Sequence, residues 1–409
     1  MSSLKSWGNY PSVKSKAKWF DVEQKEHNFD KNTIPYGNGR SYGDSCLSDH
    51  IIQLKRHNHF LAFDENTGIL KVQAGVLLKE VIDVCLPKGW FLKVVPGTKL
   101  ITVAGAIASD IHGKNHHIDG CFSESVNYFN ILLPNGDLKK CSRTDNTQLF
   151  HASCGGMGLT GVITEVELSL KKVQSANIQQ TTIKSRNLKE TFAIFEKIKS
   201  ERYSVAWIDC LSKGDKLGRS HVIYGDFMQD GDLAQKQKSR INIPFYFPSW
   251  TLNKLTIKLF NWFYYHKAFT KNKQAKANYD SFFFPLDAIK NWNRIYGKRG
   301  FTQYQFILPL ESSFEGISQI LTQIADSGKG SFLAVLKLYG QANKNFLSFP
   351  MEGYSLALDF KIEKGIFELL DNLDKVVVQH GGRVYLSKDV RVTKEVFEKG
   401  YPMLPDFKK

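Results

Sequence analysis

The stretch from Pro96 to Cys121 carries the densest chemistry in the chain. It strings Gly, Ala, Ser and Thr together and ends in Asp110-Ile111-His112-Gly113-Lys114-Asn115-His116-His117. Small residues let a backbone come within contact distance of a large flat ligand. Cationic and imidazole groups then stand where that backbone stops. Packing alone needs only the first feature, so the two together read as the floor of a cofactor site. Further along, Gln303 and Gln305 are two apart on a predicted strand and face one way, an arrangement that suits a polyol. The flanking Phe301, Phe306 and Ile307 make that strand central rather than a solvated edge. Lys337 lies inside the apolar run Phe332–Leu338, where a lysine must be paired, functional or snorkelling to the surface. Lys388 follows Tyr385 by three residues at the end of another predicted strand.

Two more Gly-rich segments accompany this floor. Pro35-Tyr36-Gly37-Asn38-Gly39-Arg40-Ser41-Tyr42-Gly43-Asp44 precedes a strand, and successive N–H groups in such a turn form a concavity for phosphate oxygens. Arg40 and Ser41 add donors. No Gly-Lys-Ser/Thr follows, so it is not a nucleoside-triphosphate loop, and no helix opens after it, so it is not a dinucleotide fingerprint. Cys154-Gly155-Gly156-Met157-Gly158-Leu159-Thr160-Gly161 reads as turn chemistry when taken alone.

The elements that must position these groups are mixed. The first half predicts a hairpin over Leu61–Val76, a helix over Leu78–Leu86 stopped by Pro87 and Gly89, a hairpin over Val126–Ser142 turning at Asn135-Gly136, and a strand in Thr160–Val173. The second half predicts helices at Leu188–Lys199, Phe314–Ala325 and Ile366–His380. Strands are predicted at Ser204–Cys210, Ser220–Phe227, Phe301–Pro309, Ser331–Gly340, Tyr354–Ile362 and Arg383–Lys388. The class is α+β with two closely packed domains. Residues 249–277 stand apart: six lysines, no acid, and Leu252, Leu255, Leu259 and Trp262 at helical spacing. Such a basic, aromatic helix suits a membrane surface, or else covers the core.

The 409 residues carry a formal charge of +15, which favours anionic partners or is simply a solvated basic surface. No nucleic-acid-binding module is recognisable. The six cysteines lack metal-finger spacing and read as reduced thiols, so no metal is expected. Met1 to Lys18 lacks the apolar run of a signal peptide, and no stretch is long and apolar enough to span a membrane. A cytoplasmic protein, peripheral on the inner membrane surface, is expected.

The order of the motifs makes the reading specific. Gly39-Arg40-Ser41-Tyr42-Gly43-Asp44, Pro96-Gly97-Thr98, the Asp110–His117 segment, Gly156-Met157-Gly158-Leu159-Thr160-Gly161, Leu217-Gly218-Arg219, Trp292-Asn293-Arg294-Ile295-Tyr296-Gly297, Gln303-Tyr304-Gln305-Phe306 and Gly381-Gly382-Arg383-Val384-Tyr385-Leu386-Ser387-Lys388-Asp389 follow one another. The chain resembles the FAD-dependent oxidoreductases of the vanillyl-alcohol-oxidase type, and among them those acting on polyprenyl-phosphate pentoses. The resemblance implies a two-part PCMH-type FAD-binding domain, residues 1–172 with 381–409 returning to it. Residues 173–380 would form a substrate-binding domain with an antiparallel sheet flanked by helices. It implies FAD contacts at Gly37, Asn38, Gly39, Arg40, Ser41, Tyr42, Gly97, Thr98, Thr102, Gly105, Ser109, His112, Ile163 and Tyr385. Lys388 would be the base or alcohol-orienting group, helped by Tyr385 and His112. Lys114, Gln303, Gln305, Lys337 and Ser355 would bind substrate. Many relatives attach FAD through a histidine where this chain has Arg40, which implies a non-covalent cofactor. Well-studied members carry a cysteine where this chain has Ala357. The implied reaction oxidises the C2 hydroxyl of a polyprenyl-phosphate pentose, with a short-chain reductase completing an epimerisation. A soluble sugar or aldonolactone oxidase is the alternative, and a non-catalytic flavoprotein at the membrane surface a further one.

Overall fold

The computed structural model describes residues 2–21, 32–235, 241–268 and 270–409. Residues 1 and 22–31 of the expected first unit, and 236–240 and 269 of the second, lie outside them; Phe269 falls within the 249–277 stretch. The architecture is α+β. In the first half, Ser2–Lys5, Ser12–Trp19, His50–Gln53 and Thr33–Tyr36 make a four-stranded sheet. Phe60–Asp64, Ile69–Gln73, Val162–Ser169, Val126–Leu132 and Leu138–Ser142 make a five-stranded one. Both expected hairpins are present. Gly136 takes φ +88° at the second turn, where a side chain would be strained.

The second half is built on an eight-stranded sheet. Its order from one edge is Asn272–Asn278, Asn177–Ser185, Ser220–Phe227, Tyr203–Ile208, Ala334–Tyr339, Gly353–Lys361, Phe301–Pro309 and Arg383–Val384. Side chains alternate across it. Tyr304, Phe306, Leu336, Leu356 and Leu358 point to the helices Leu188–Lys197, Leu310–Ser327 and Ile366–Gln379 and are buried with Phe195, Ile317, Ile320 and Leu373. The opposite face carries Gln303, Gln305, Lys337, Ser355 and Ala357, which open onto a cavity. The sheet therefore separates an apolar core from a polar working surface.

After Val384 the chain leaves the sheet and packs on the first half. Gly43 N–H donates to Ser387 O (2.9 Å) and Asp44 N–H to Asp389 O (3.1 Å). Three expectations are corrected. Arg383–Lys388 is a strand only at Arg383–Val384; Lys388 N–H closes a turn on Tyr385 O (2.9 Å), so Lys388 sits in a turn. The helix expected from Phe314 starts at Leu310, directly after Pro309. The 249–277 stretch is not one helix. Asn253 caps Lys254–His266 by accepting from Leu255 N–H (2.8 Å) and Thr256 N–H (3.1 Å), which leaves Leu252 outside, and Asn272–Asn278 is an edge strand. Among the described residues no helix is long and apolar enough to cross a membrane. The six cysteines are free thiols, Cys46 half-buried and the others buried.

Candidate active site

One cavity of about 1170 Å³ runs between the first-half loops and the open face of the large sheet, and every residue singled out above as a candidate lines it. Its cofactor side is backbone. The turn after Thr33–Tyr36 supplies Gly37 to Tyr42. A side chain at Gly37 would meet Thr102 Oγ1 at 2.5 Å, and one at Gly39, where φ is +61°, the Tyr36 hydroxyl at 2.0 Å. Asn38 donates to Leu100 O (2.6 Å), which ties this loop to the Pro96–Thr102 segment. Thr102 caps the short helix Val103–Ala108, accepting from Gly105 N–H (3.1 Å). Thr98 donates to Asp287 (2.7 Å) in the second half. Gly97 differs from its neighbours, because a Cβ there would meet no atom within 4 Å. It faces open space that a ligand can use. Gly155 N–H donates to Ile107 O (3.0 Å) and Met157 N–H to Ala108 O (2.8 Å), so the third Gly-rich segment braces this floor from below. Ile163 adds an apolar wall.

Arg40 stacks on Trp7, 4.1 Å from guanidinium to ring centroid, and its buried Nε has no hydrogen-bond partner among the described residues. Ser41 is turned away: its hydroxyl donates to Ser387 O (2.6 Å), so it offers a phosphate no proton. Backbone-lined walls, an unfilled space above Gly97 and a half-buried arginine with a free Nε fit a dinucleotide with a pyrophosphate and a flat ring.

The floor ends at His112. Its ring is packed among Tyr385, Tyr339 and Phe349 at centroid distances of 4.9, 5.1 and 5.4 Å. Burial, then the nearby Lys337, holds its pKa well below the ordinary value, so the ring is neutral. The Gln305 amide donates to His112 Nε2 (3.1 Å) and Ser355 Oγ (3.3 Å). The ring proton is then on Nδ1, a buried atom with no hydrogen-bond partner among the described residues. Tyr385 donates to Ser109 O (2.8 Å), pinning the end of the floor to the turn that carries Lys388.

Three lysines face this end. Lys388 Nζ lies 3.9 Å from the centroid of the Tyr42 ring. Burial lowers it to about 7; Asp359 opposes the shift and Lys337 adds to it. Burial lowers Lys337 to about 8. Lys114 is lowered to about 7 by burial and then by Lys337, and its ammonium donates to Phe282 O. Asp359 is the acid of the group, raised by burial to about 7 and accepting from Gln303 Nε2 (2.6 Å). Tyr296 reaches its other oxygen (3.5 Å). An excess of cations over carboxylate in a semi-enclosed space awaits an anion.

Sequence reasoning missed Asp359. The signal was present: an acid in the apolar strand Leu356-Ala357-Leu358-Asp359-Phe360 follows the logic that singled out Lys337. It also missed Asp110, at φ +37°, whose carboxylate accepts from Ser348 Oγ (2.6 Å), Asn343 (2.7 Å) and Asn345 (2.8 Å) and ties the floor to the loop after Ala334–Tyr339. Those partners are more than 200 residues away, and no local pattern marks them.

Residues 25–142 match the family model described as an FAD binding domain. Decaprenylphosphoryl-β-D-ribose oxidase of Mycolicibacterium smegmatis is 36% identical over 92% of this chain and 85% of its own length. A putative D-arabinono-1,4-lactone oxidase of Neurospora crassa is 31% identical over 42% of this chain and 30% of its own length. L-gulonolactone oxidase of Bos taurus is 29% identical over 42% of this chain and 39% of its own. The chain therefore belongs to the family of FAD-dependent oxidoreductases that includes decaprenylphosphoryl-β-D-ribose oxidase.

Proposed function

We propose that this protein oxidises the C2 hydroxyl of a polyprenyl-phosphoryl pentose to the 2-keto sugar. The observation that carries this reading is the meeting of Lys114, Lys337, Lys388, Gln303 and Gln305 at one end of the cofactor cavity, with Asp359 behind them bonded to Gln303. When bound, FAD would supply the acceptor for the hydride that leaves the sugar C2–H. Lys388, uncharged in part at neutral pH, takes the hydroxyl proton as the carbonyl forms. The Gln303 and Gln305 amides hold the remaining hydroxyls, and Asp359 and His112 fix those amides in place. Lys337 and Lys114 meet the phosphate; an aldonolactone has no such group, which favours the phosphorylated substrate. Gly37 to Tyr42, Gly97, Thr98, Thr102, Gly105, Ser109, Ile163 and Tyr385 hold FAD. Arg40 cannot form the histidyl bond, so the cofactor is non-covalent. Residues 1–172 with 381–409 serve the cofactor, and 173–380 the substrate. A keto sugar is half of an epimerisation, so a reductase of the short-chain type is the natural consumer of the product.

The substrate's lipid puts the protein at a membrane surface. The Lys254–His266 helix supports this by its inverted pattern. Ile257, Asn261 and Tyr265 face the protein, Asn261 donating to Asp209 (2.9 Å). Leu255 (74% exposed), Leu259 (53%) and Trp262 (47%) face solvent, with Trp250 (74%) beside them. An exposed apolar stripe among lysines fits an anionic bilayer better than water.

Lys388→Ala tests the chemistry. FAD should stay bound while substrate-driven flavin reduction slows by about 10²–10⁴-fold, the usual contribution of a general base. Reduction at the wild-type rate would remove Lys388 from the mechanism.

A further inference from the structure

The cavity is far longer than a sugar. It continues past Lys337 across the open face of the sheet to Lys273 on the far edge strand. The register gives its path. Lys337 pairs with Ser355, and the pairing of Ala206 with Leu336 sets Val205 beside Lys337. Val205 pairs with Ile223, Ile223 with Thr182, and Thr182 with Lys273. These are four strand spacings beyond Lys337, about 19 Å at ~4.8 Å each. Trp207 flanks the row, and Tyr264, from the inner side of the Lys254–His266 helix, covers it at 4.5 Å between ring centroids. The groove ends beside the helix whose outer face is apolar and solvent-exposed.

The order of side chains across the sheet is informative. Two amides come first, on Phe301–Pro309. The lysine follows, on Ala334–Tyr339. Val205, Trp207 and Ile223 come after it. Hydroxyl-binding, phosphate-binding and apolar groups thus succeed one another in the order in which sugar, phosphate and prenyl chain are joined.

We propose that the groove from Val205 to Lys273 binds the proximal isoprene units of the substrate and leads the chain out beneath the Lys254–His266 helix. The proposal rests on the reading of the substrate as a prenyl-phosphoryl sugar. It adds that affinity depends on chain length until the groove is filled, and that the bilayer supplies the remainder of the chain.

The test is binding of prenyl monophosphates to the FAD-loaded protein, read by quenching of tryptophan fluorescence. Affinity should rise by about tenfold or more from dimethylallyl to farnesyl phosphate, since each buried methylene adds to transfer. Ile223→Trp fills the groove midway and should remove that rise while leaving dimethylallyl phosphate, which ends short of Ile223, bound as before. Thr182→Trp, one strand further, is the second variant and should spare farnesyl more than longer chains. If either variant fails to hold FAD, the wild-type series still decides. Equal affinity for short and long chains, or a rise unaltered in both folded variants, overturns the groove. Chain-dependent binding without flavin reduction by any prenyl-phosphoryl pentose leaves the groove and removes the proposed reaction. Reduction without chain dependence does the reverse.

Discussion

At the scale of single residues, the site is a problem in placing protons. Burial brings Lys388 and Asp359 to about the same value, near 7, from opposite directions. Lys388 accepts a proton only when uncharged, so the rate of flavin reduction should rise with pH through about 7 and level off above it. The limb belongs to the coupled pair rather than to one group. Neighbours then move it in opposite senses. Asp359 favours the charged lysine, so Asp359→Asn should shift the limb to lower pH. Lys337 disfavours it, so Lys337→Met should shift the limb to higher pH, each by about 1 pH unit. Stopped-flow reduction across pH checks both signs; parallel shifts, or none, would contradict the assignment of Lys388 as base.

At the scale of elements, the cofactor floor is held by glycines of two kinds. A side chain at Gly39 collides with Tyr36 and sits at φ +61°, so Gly39→Ala should destabilise the fold by about 1–3 kcal/mol as well as weaken FAD binding. A Cβ at Gly97 meets no atom of the described residues within 4 Å. Gly97→Val should therefore leave unfolding of the apoprotein within about 0.5 kcal/mol and lower FAD affinity at least about tenfold. Flavin retention on desalting, with thermal melts of the apoprotein, separates the two. Much of this was legible in the chain, because the glycine-rich segments and the lone polar residues of apolar strands carry local signals. The edge strand Asn272–Asn278 and its neighbour Asn177–Ser185 were not: Asn-Lys-Gln-Ala-Lys-Ala-Asn has neither the alternation nor the β-branched residues of a strand and pairs through its backbone. Nor was the outward turn of Leu255, Leu259 and Trp262, since periodicity marks an apolar stripe without saying which way it faces.

At the scale of the whole molecule, one sheet faces a helical core on one side and the cofactor domain across a long cavity on the other. The basic helix stands at the far end of that cavity. Replacing Leu255, Leu259 and Trp262 together with Asp should lower sedimentation with anionic vesicles about tenfold or more, with flavin content and melting temperature unchanged, because all three side chains are exposed. The central claim concerns the reaction itself. The most direct measurement is anaerobic: the yellow protein is mixed with polyprenyl-phosphoryl pentoses on one side and aldonolactones on the other, and the flavin band is followed. Bleaching by the phosphorylated, lipid-linked pentose and not by the lactones is the predicted result. Bleaching by lactones alone, or by neither, would contradict it.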